Sequence, residues 1–260
     1  MALGNLANHL RNVGRFEDAL QKAEQAERIW RGLAEKQPDT YTADWATSLA
    51  NLANRLRDVG RFEDALQKAE QAERIRRGLA EKHPDAYTAD WATSLANLAD
   101  AQLSAGQFAI ALEIAEMAMS KIRPLAERYQ LVYNYWLGFA HRIAAESLFR
   151  MERLDDAVAE AMRSTEIWTE IVTLRHNFES MQVAKAFRAL IKCQLKLNQS
   201  EDAFASLGRM FELLRKPLSG NPRPLRKVLS ELVDEIVAID RDAVARVVPG
   251  DLLAVVRAGS

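Results

Sequence analysis

The stretch Arg15 to Ile29, RFEDALQKAEQAERI, recurs without a change at Arg61 to Ile75, so that Phe16 and Phe62 stand 46 residues apart. The match extends well beyond that stretch. Between Leu3–Asn54 and Leu49–Asp100 the paired positions differ only at Gly4/Ala50, His9/Arg55, Asn12/Asp58, Trp30/Arg76, Gln37/His83, Thr40/Ala86 and Asn54/Asp100. Such near-identity is the mark of a recent duplication. The same step continues in weaker form. Gly60 to Leu66 becomes Gly106-Gln-Phe-Ala-Ile-Ala-Leu112, then Glu152-Arg-Leu-Asp-Asp-Ala-Val158, then Asn198-Gln-Ser-Glu-Asp-Ala-Phe204. Pro38, Pro84 and Pro222 keep the same register. A fixed period of this size means stacked supersecondary units rather than one globular core.

Within one unit the pattern is helical. Phe62, Ala65, Leu66, Ala69, Ala72, Ile75 and Leu79 fall at steps of three and four, and Glu, Gln, Lys and Arg fill the other face. Trp91, Leu95, Leu98, Ala99 and Leu103 do the same in the preceding helix. Gly60 and Gly106 sit where a left-handed helix end favours glycine, and Pro84-Asp85 opens a new unit. Each unit is therefore a helical hairpin. The pattern places helices near 39–59, 61–82, 85–105, 107–128, 131–151, 155–174, 178–197 and 200–215. A break follows at Ser219 to Pro224, then a helix near 225–239 and a short stretch at 244–256, read together as a cap on the open end. Residue 1 falls where position 47 stands in the next copy, so the opening TYTADWATS segment is missing from the first unit. The expectation is a piece of a longer array, or else an end that packs on a partner.

Bulk properties narrow the function. The chain has 260 residues, a net charge of −1 and one cysteine, Cys193. That balance gives no global attraction to nucleic acid or to an anionic membrane, and no intramolecular disulfide can form. No apolar run approaches the roughly 20 residues that span a bilayer, and the N-terminal residues do not read as a signal peptide. A cytoplasmic location is the expectation.

The spacing resembles the tetratricopeptide repeat, with Leu49, Leu52, Ala53, Leu56, Gly60, Ala65 and Ala72 at that family's small and apolar places. The unit is twelve residues longer than the usual 34. Enlarged units with a Gln-Pro-Asp or His-Pro-Asp step resemble those of kinesin light chains, and more closely bacterial arrays joined to signalling NTPase or caspase-like domains. The resemblance implies an all-α, right-handed α-solenoid of antiparallel hairpins with C-terminal capping helices. Its units lie near 1–38, 39–84, 85–130, 131–176 and 177–216, with the cap over 217–260. It also implies a scaffold that binds a partner protein or extended peptide in a concave groove. The alternative is a regulatory or sensor arm of a larger bacterial signalling protein that packs on its own effector domain. Self-association through the truncated first repeat is a third option.

In such arrays the first helix of each unit lines the groove. The resemblance to kinesin light chains singles out the asparagine of the Leu-x-Asn-Leu-Ala step, here Asn5, Asn51 and Asn97. An amide both donates and accepts, so a row of them can hold a peptide backbone whatever its side chains. The row is equally open to being a by-product of duplication, or a set of bridges between helices. It ends at Ile143 and Ala189. In the later units Arg142 and Arg188 share the register of Ala50, Lys185 that of Thr47 and Lys192 that of Asn54. These are the positions that carboxylate-clamping members of the family use, so the expected guest is an acidic segment or a C-terminal carboxylate. Tyr129, Tyr133, Tyr135, Trp136 and Phe139 form the densest aromatic patch, which reads either as core or, through Tyr133 and Trp136, as interface anchors. Trp45 and Trp91 read as packing residues.

Nothing in the sequence calls for chemistry. His9, His83, His141, His176 and Cys193 lack metal-ligand spacing, there is no Gly-rich phosphate loop, and no nucleophile sits in an elbow. The acidic pairs Glu17-Asp18 and Glu63-Asp64 belong to first helical turns, where negative charge suits the dipole. No enzymatic activity, cofactor or metal is expected, and no continuous basic stripe suits nucleic acid.

Overall fold

A computed structural model of the chain describes residues 2–174, 180–220 and 222–258. His176, Phe178 and Asn221, which fall within stretches read above, lie outside the described residues. Among the described residues there are thirteen α-helices and no strand. None of these helices is long and apolar enough to cross a membrane. The chain divides into two compact units, Met1–Arg128 and Tyr129–Ser260.

The first unit holds α1 (Ala2–Asn12), α2 (Phe16–Lys36), α3 (Pro38–Asp58), α4 (Phe62–Lys82), α5 (Pro84–Ser104) and α6 (Phe108–Arg128). Each packs on the next, in the order of a solenoid. The hairpin turns follow from the backbone. Gly14, Gly60 and Gly106 have φ of 81°, 80° and 78°, and at the second turn Arg61 N–H closes the end of α3 on Leu56 O at 2.9 Å. Between hairpins the joint is one residue, Gln37 or His83, followed by proline at the first helical position, where its missing N–H costs nothing. Alanines fill the interior: Ala19, Ala46, Ala92, Ala99, Ala111 and Ala115 are wholly excluded from solvent. Small side chains let neighbouring helices approach closely, and Leu49, Leu52, Leu56, Leu95 and Leu98 supply the bulk, each contributing about 1.5–3 kcal/mol by full burial. The packing role expected for the tryptophans takes a specific form. Trp45 Nε1 donates to Glu27 at 3.0 Å, and Trp91 Nε1 to Glu73 at 2.9 Å.

The second unit holds α7 (Gln130–Arg150), α8 (Leu154–Leu174), α9 (Ser180–Lys196), α10 (Ser200–Gly220), α11 (Arg223–Val237), α12 (Arg241–Val247) and α13 (Gly250–Arg257). The left-handed turn residues persist here without glycine: Glu152 has φ 59° and Asn198 φ 60°. Large side chains join the buried alanines, with Trp168, Phe187, Phe211, Leu214 and Leu229 in one core. Two expectations need correction. α10 does not stop at Arg215 but continues through Pro217 to Gly220, with Leu218 buried in the core; the boundary drawn at 216/217 falls inside it. Pro217 has no N–H to give the helical ladder, a cost that the burial of Leu218 offsets. The stretch 244–256 is two helices, broken at Val248-Pro249. Val244, Val248, Leu252 and Val256 are buried in the core that α10 and α11 share, and α12 and α13 pack on both of those helices.

Candidate functional site

In the first unit α1, α3 and α5 lie side by side. Arg11 on α1 reaches Asp58 on α3 at 3.0 Å, and Arg57 on α3 pairs with Asp100 on α5. These acceptors stand at two of the seven differing positions, Asn12/Asp58 and Asn54/Asp100. The changes between copies therefore bear on how the copies join.

Asn5 is exposed on this face, and Asn51 and Asn97 are half-buried. A Cβ placed on Gly4 would meet Asn51 Nδ2 at 3.9 Å, which sets the Asn51 amide over α1. The side chains of all three asparagines make no hydrogen bond to another described residue. Among the described residues they form no hydrogen-bonded bridge between helices.

Between α1, α2 and α3 lies a recess of about 170 Å³, bordered by Asn5, Asn8, Asn51, Thr47, Trp30 and Arg55, with Asp44 also on its edge. Arg55 is 7 % exposed. Its Nη1 stands 3.4 Å from Asp58, a carboxylate already held by Arg11, while Nε and Nη1 have no hydrogen-bond partner. Burial pulls its guanidinium down to about 10; Asp58 opposes this and Arg11 and Arg57 add to it. One copy later the same slot is arranged differently. Ala101 stands in place of Arg55, and Arg76 in place of Trp30. Arg76 is also buried, which lowers its pKa against the pull of Asp90, but it is satisfied: it donates to Thr47 Oγ1 at 3.0 Å, to Asp90 O at 3.2 Å and to Thr93 Oγ1 at 3.5 Å. Sequence reasoning singled out neither Arg55 nor Trp30 as a site residue. The signal was there, since both stand among the seven positions at which the copies differ.

The basic residues of the second unit are placed as follows. Arg142 is buried at 3 % exposure; its guanidinium bonds Glu146 at 2.6 Å and lies 5.0 Å from the centre of the Phe139 ring. Lys185 is half-buried on α9. Arg188 and Lys192, also on α9, face α11 of the same chain and pair with Glu231 at 3.5 Å and Glu235 at 2.9 Å. Tyr133 is half-buried beside the exposed Tyr129, ring centres 6.4 Å apart. Trp136 is half-buried and packs edge-on against Tyr135 and Phe139, at 5.2 and 5.9 Å. Tyr135 continues the cluster inward to Trp168.

The residues that invited chemistry have structural partners. Asp18, Asp64 and Asp156 accept from Arg15, Arg61 and Arg153, the residues that open α2, α4 and α8. His141 is buried and bonds Glu160 at 2.6 Å. Burial pushes the Cys193 thiol up to about 12, with Glu146 adding to the effect. Among the described residues no group of three or more His, Cys, Asp or Glu gathers to hold a metal ion.

Comparison with known proteins agrees with this geometry. Tetratricopeptide-repeat family profiles match residues 2–35 and 45–85. The nearly identical TPR-like repeats of a kinesin light chain candidate from Podosopora anserina are 19 % identical with a TM-score of 0.57, over 83 % of this chain and 95 % of that one. BtubC (BKLC) from P. vanneervenii is 16 % identical with a TM-score of 0.64, over 94 % of this chain and 91 % of that one. A search of curated proteins finds no match.

Proposed function

We propose that this chain, which belongs to the tetratricopeptide-repeat family, is a protein-binding scaffold that holds an extended segment of a partner along the face formed by α1, α3 and α5. The observation that carries this reading is the row Asn5, Asn51 and Asn97. Three amides recur at a step of 46 residues, and none makes a hydrogen bond to another described residue. Unpaired amides at a half-buried face favour a guest that brings its own donors and acceptors, which is what a peptide backbone offers. The test is to select binding peptides with the full chain from a random display library, then measure their affinity for the triple variant Asn5→Ala, Asn51→Ala, Asn97→Ala. At about 1 kcal/mol for each lost hydrogen bond, affinity should fall by at least about tenfold with the helical content unchanged. Equal affinity would remove the reading.

A further inference from the structure

We infer that the solvent face of α6 is a self-association surface, on which a second copy of this chain docks with its own α6 laid antiparallel. The inference does not rest on the peptide-binding reading: it concerns the second helix of a hairpin, not the face formed by α1, α3 and α5. Three observations carry it.

The first is a departure of the third copy from the other two. Along α2 the outward row at steps of three and four is Asp18, Gln21, Gln25, Arg28 and Gly32, and along α4 it is Asp64, Gln67, Gln71, Arg74 and Gly78. Both rows are polar wherever they carry a side chain. The same row on α6 is Ile110, Glu113, Met117, Ser120 and Pro124. Three of these five are apolar, and all five are exposed, Ile110 at 45 % and Met117 at 41 %. One exposed apolar side chain is ordinary on a protein surface. A row of them, where two other copies carry Asp and Gln, marks a face that something covers.

The second is that the fold does not account for the change. In α2 and α4 the first residue of the row accepts from the arginine that opens the helix, Asp18 from Arg15 at 2.6 Å and Asp64 from Arg61 at 2.7 Å. In α6 both members of that pair are replaced, by Gln107 and Ile110. Ile114, in place of Lys68, does serve the fold, since it packs on the cluster of Ala53, Ala69, Leu98 and Ala101. Ile110 and Met117, one turn to either side of it, stay in solvent.

The third is the order of charge, which says what the cover is. While the row turns apolar, its edge keeps its ionic residues: Glu70 is matched by Glu116 and Arg77 by Arg123. Glu116 and Arg123 are seven residues apart, two helical turns, and so share one edge of the row. Both are exposed, and neither has an ion-pair or hydrogen-bond partner among the described residues. A two-fold contact must be complementary to itself. Two α6 helices laid antiparallel bring the same edge of each together with its direction reversed, so each Glu116 meets the Arg123 of the other copy. Glu113, the acid within the row, then lies toward the half of the other helix that holds Arg123. Glu127 and Arg128 close the helix and cancel. One helix face a side is at the small end of interface sizes, so the dimer forms reversibly with concentration.

The test is sedimentation equilibrium of the full chain from micromolar to millimolar concentration. The parent should pass reversibly from monomer to dimer. Ile110→Asp with Met117→Gln gives α6 the residues that α4 carries at Asp64 and Gln71, which the repeat tolerates. This variant should raise the dimer dissociation constant by about tenfold or more and leave the melting temperature of the dilute monomer unchanged. Glu116→Arg and Arg123→Glu should each weaken the homodimer, because each leaves one sign along the edge. An equimolar mixture of the two should recover the contact as a heterodimer. A parent that stays monomeric at millimolar concentration overturns the inference. A dimer of undiminished strength in the Ile110→Asp, Met117→Gln variant places the contact elsewhere and overturns it, as does a charge-variant mixture no tighter than its components. The asparagine triple variant should dimerise as the parent does; loss of the dimer there would move self-association to the groove and overturn the α6 contact while leaving the groove reading intact.

Discussion

Trp91 on α5 and Glu73 on α4 are locked by a 2.9 Å hydrogen bond from the indole Nε1 to Oε1, with the carboxylate-bearing residue 8 % exposed. The bond crosses the joint between two hairpins, and Trp45 and Glu27 repeat it one copy earlier at 3.0 Å. Hydrogen bonds to charged groups contribute about 1.5–3 kcal/mol, and removing the acceptor strands the indole N–H. Glu73→Ala should therefore lower the unfolding free energy by about 2 kcal/mol, read from urea denaturation. Glu73→Gln keeps an acceptor oxygen and should recover about half of that loss. A Glu73→Ala variant as stable as the parent would mean that burial alone holds the joint.

Two glycines in helix interiors should respond to the same substitution with opposite signs. At Gly78 on α4 an added Cβ would meet nothing within 4 Å. Gly78→Ala removes a flexible residue from a helix and should stabilise the chain by about 0.5–1 kcal/mol. At Gly138 on α7 a Cβ would stand 3.0 Å from Trp168 Nε1 and 3.1 Å from Ile167 Cγ2. The helices are held at that distance by Ser164, whose hydroxyl donates to Gly138 O at 2.8 Å. Gly138→Ala should cost about 1–3 kcal/mol by overpacking, despite the better helix propensity of alanine. Urea midpoints of the two variants must move in opposite directions.

How far the sequence carried depended on whether a feature belonged to the period or departed from it. The period set the hairpins of the first unit to within about a residue, because glycine at Gly14, Gly60 and Gly106 and proline at Pro38 and Pro84 mark both ends of each helix. It said less at the end of α10. The helix read as ending near 215 runs on through Pro217 to Gly220, with Leu218 anchored in the core. Register also mislaid Arg142. It shares the place of Ala50, which is itself buried, and an alanine leaves no trace of which way a longer side chain would turn. The ion pairs of Arg188 and Lys192 with α11 needed three dimensions, since Glu231 and Glu235 lie 43 residues on. Arg55 was written as a difference between copies, and differences are where a duplicated chain escapes its own ladder.

The left-handed hairpin position gives a third prediction. Glycine holds it in the first unit, but Glu152 holds it at φ 59° and Asn198 at φ 60°. A side chain there costs about 1–2 kcal/mol for an ordinary residue and less for asparagine, whose short polar group tolerates the region. Part of the gain on substitution returns to the more flexible unfolded chain. The Glu152 carboxylate pairs with Lys196 at 2.8 Å, but both groups are largely exposed and the pair contributes little. Glu152→Gly should raise stability by about 0.5–1 kcal/mol, and Asn198→Gly by less. Thermal melts of the two variants decide this; a larger gain at Asn198 would count against the conformational explanation.

Glu160 carries a pH dependence whose sign is fixed by its neighbours. Burial pushes its carboxyl up, but the hydrogen bond and charge of His141, at 2.6 Å, together with Arg163, hold it below the usual carboxylate range. A carboxyl whose pKa is lower folded than unfolded contributes stability that is fully present above the unfolded value, about 4.3. That contribution is lost as the pH falls through the folded value. His141→Gln removes the largest of the lowering influences, so the variant should be less stable than the parent near neutral pH. The gap should narrow as the pH is taken below about 4, because the parent then loses what the variant never had. Urea midpoints of the two proteins, measured from neutral pH downward, test this. A gap that stays constant through the acid range would show that His141 acts through packing and not through the Glu160 carboxylate.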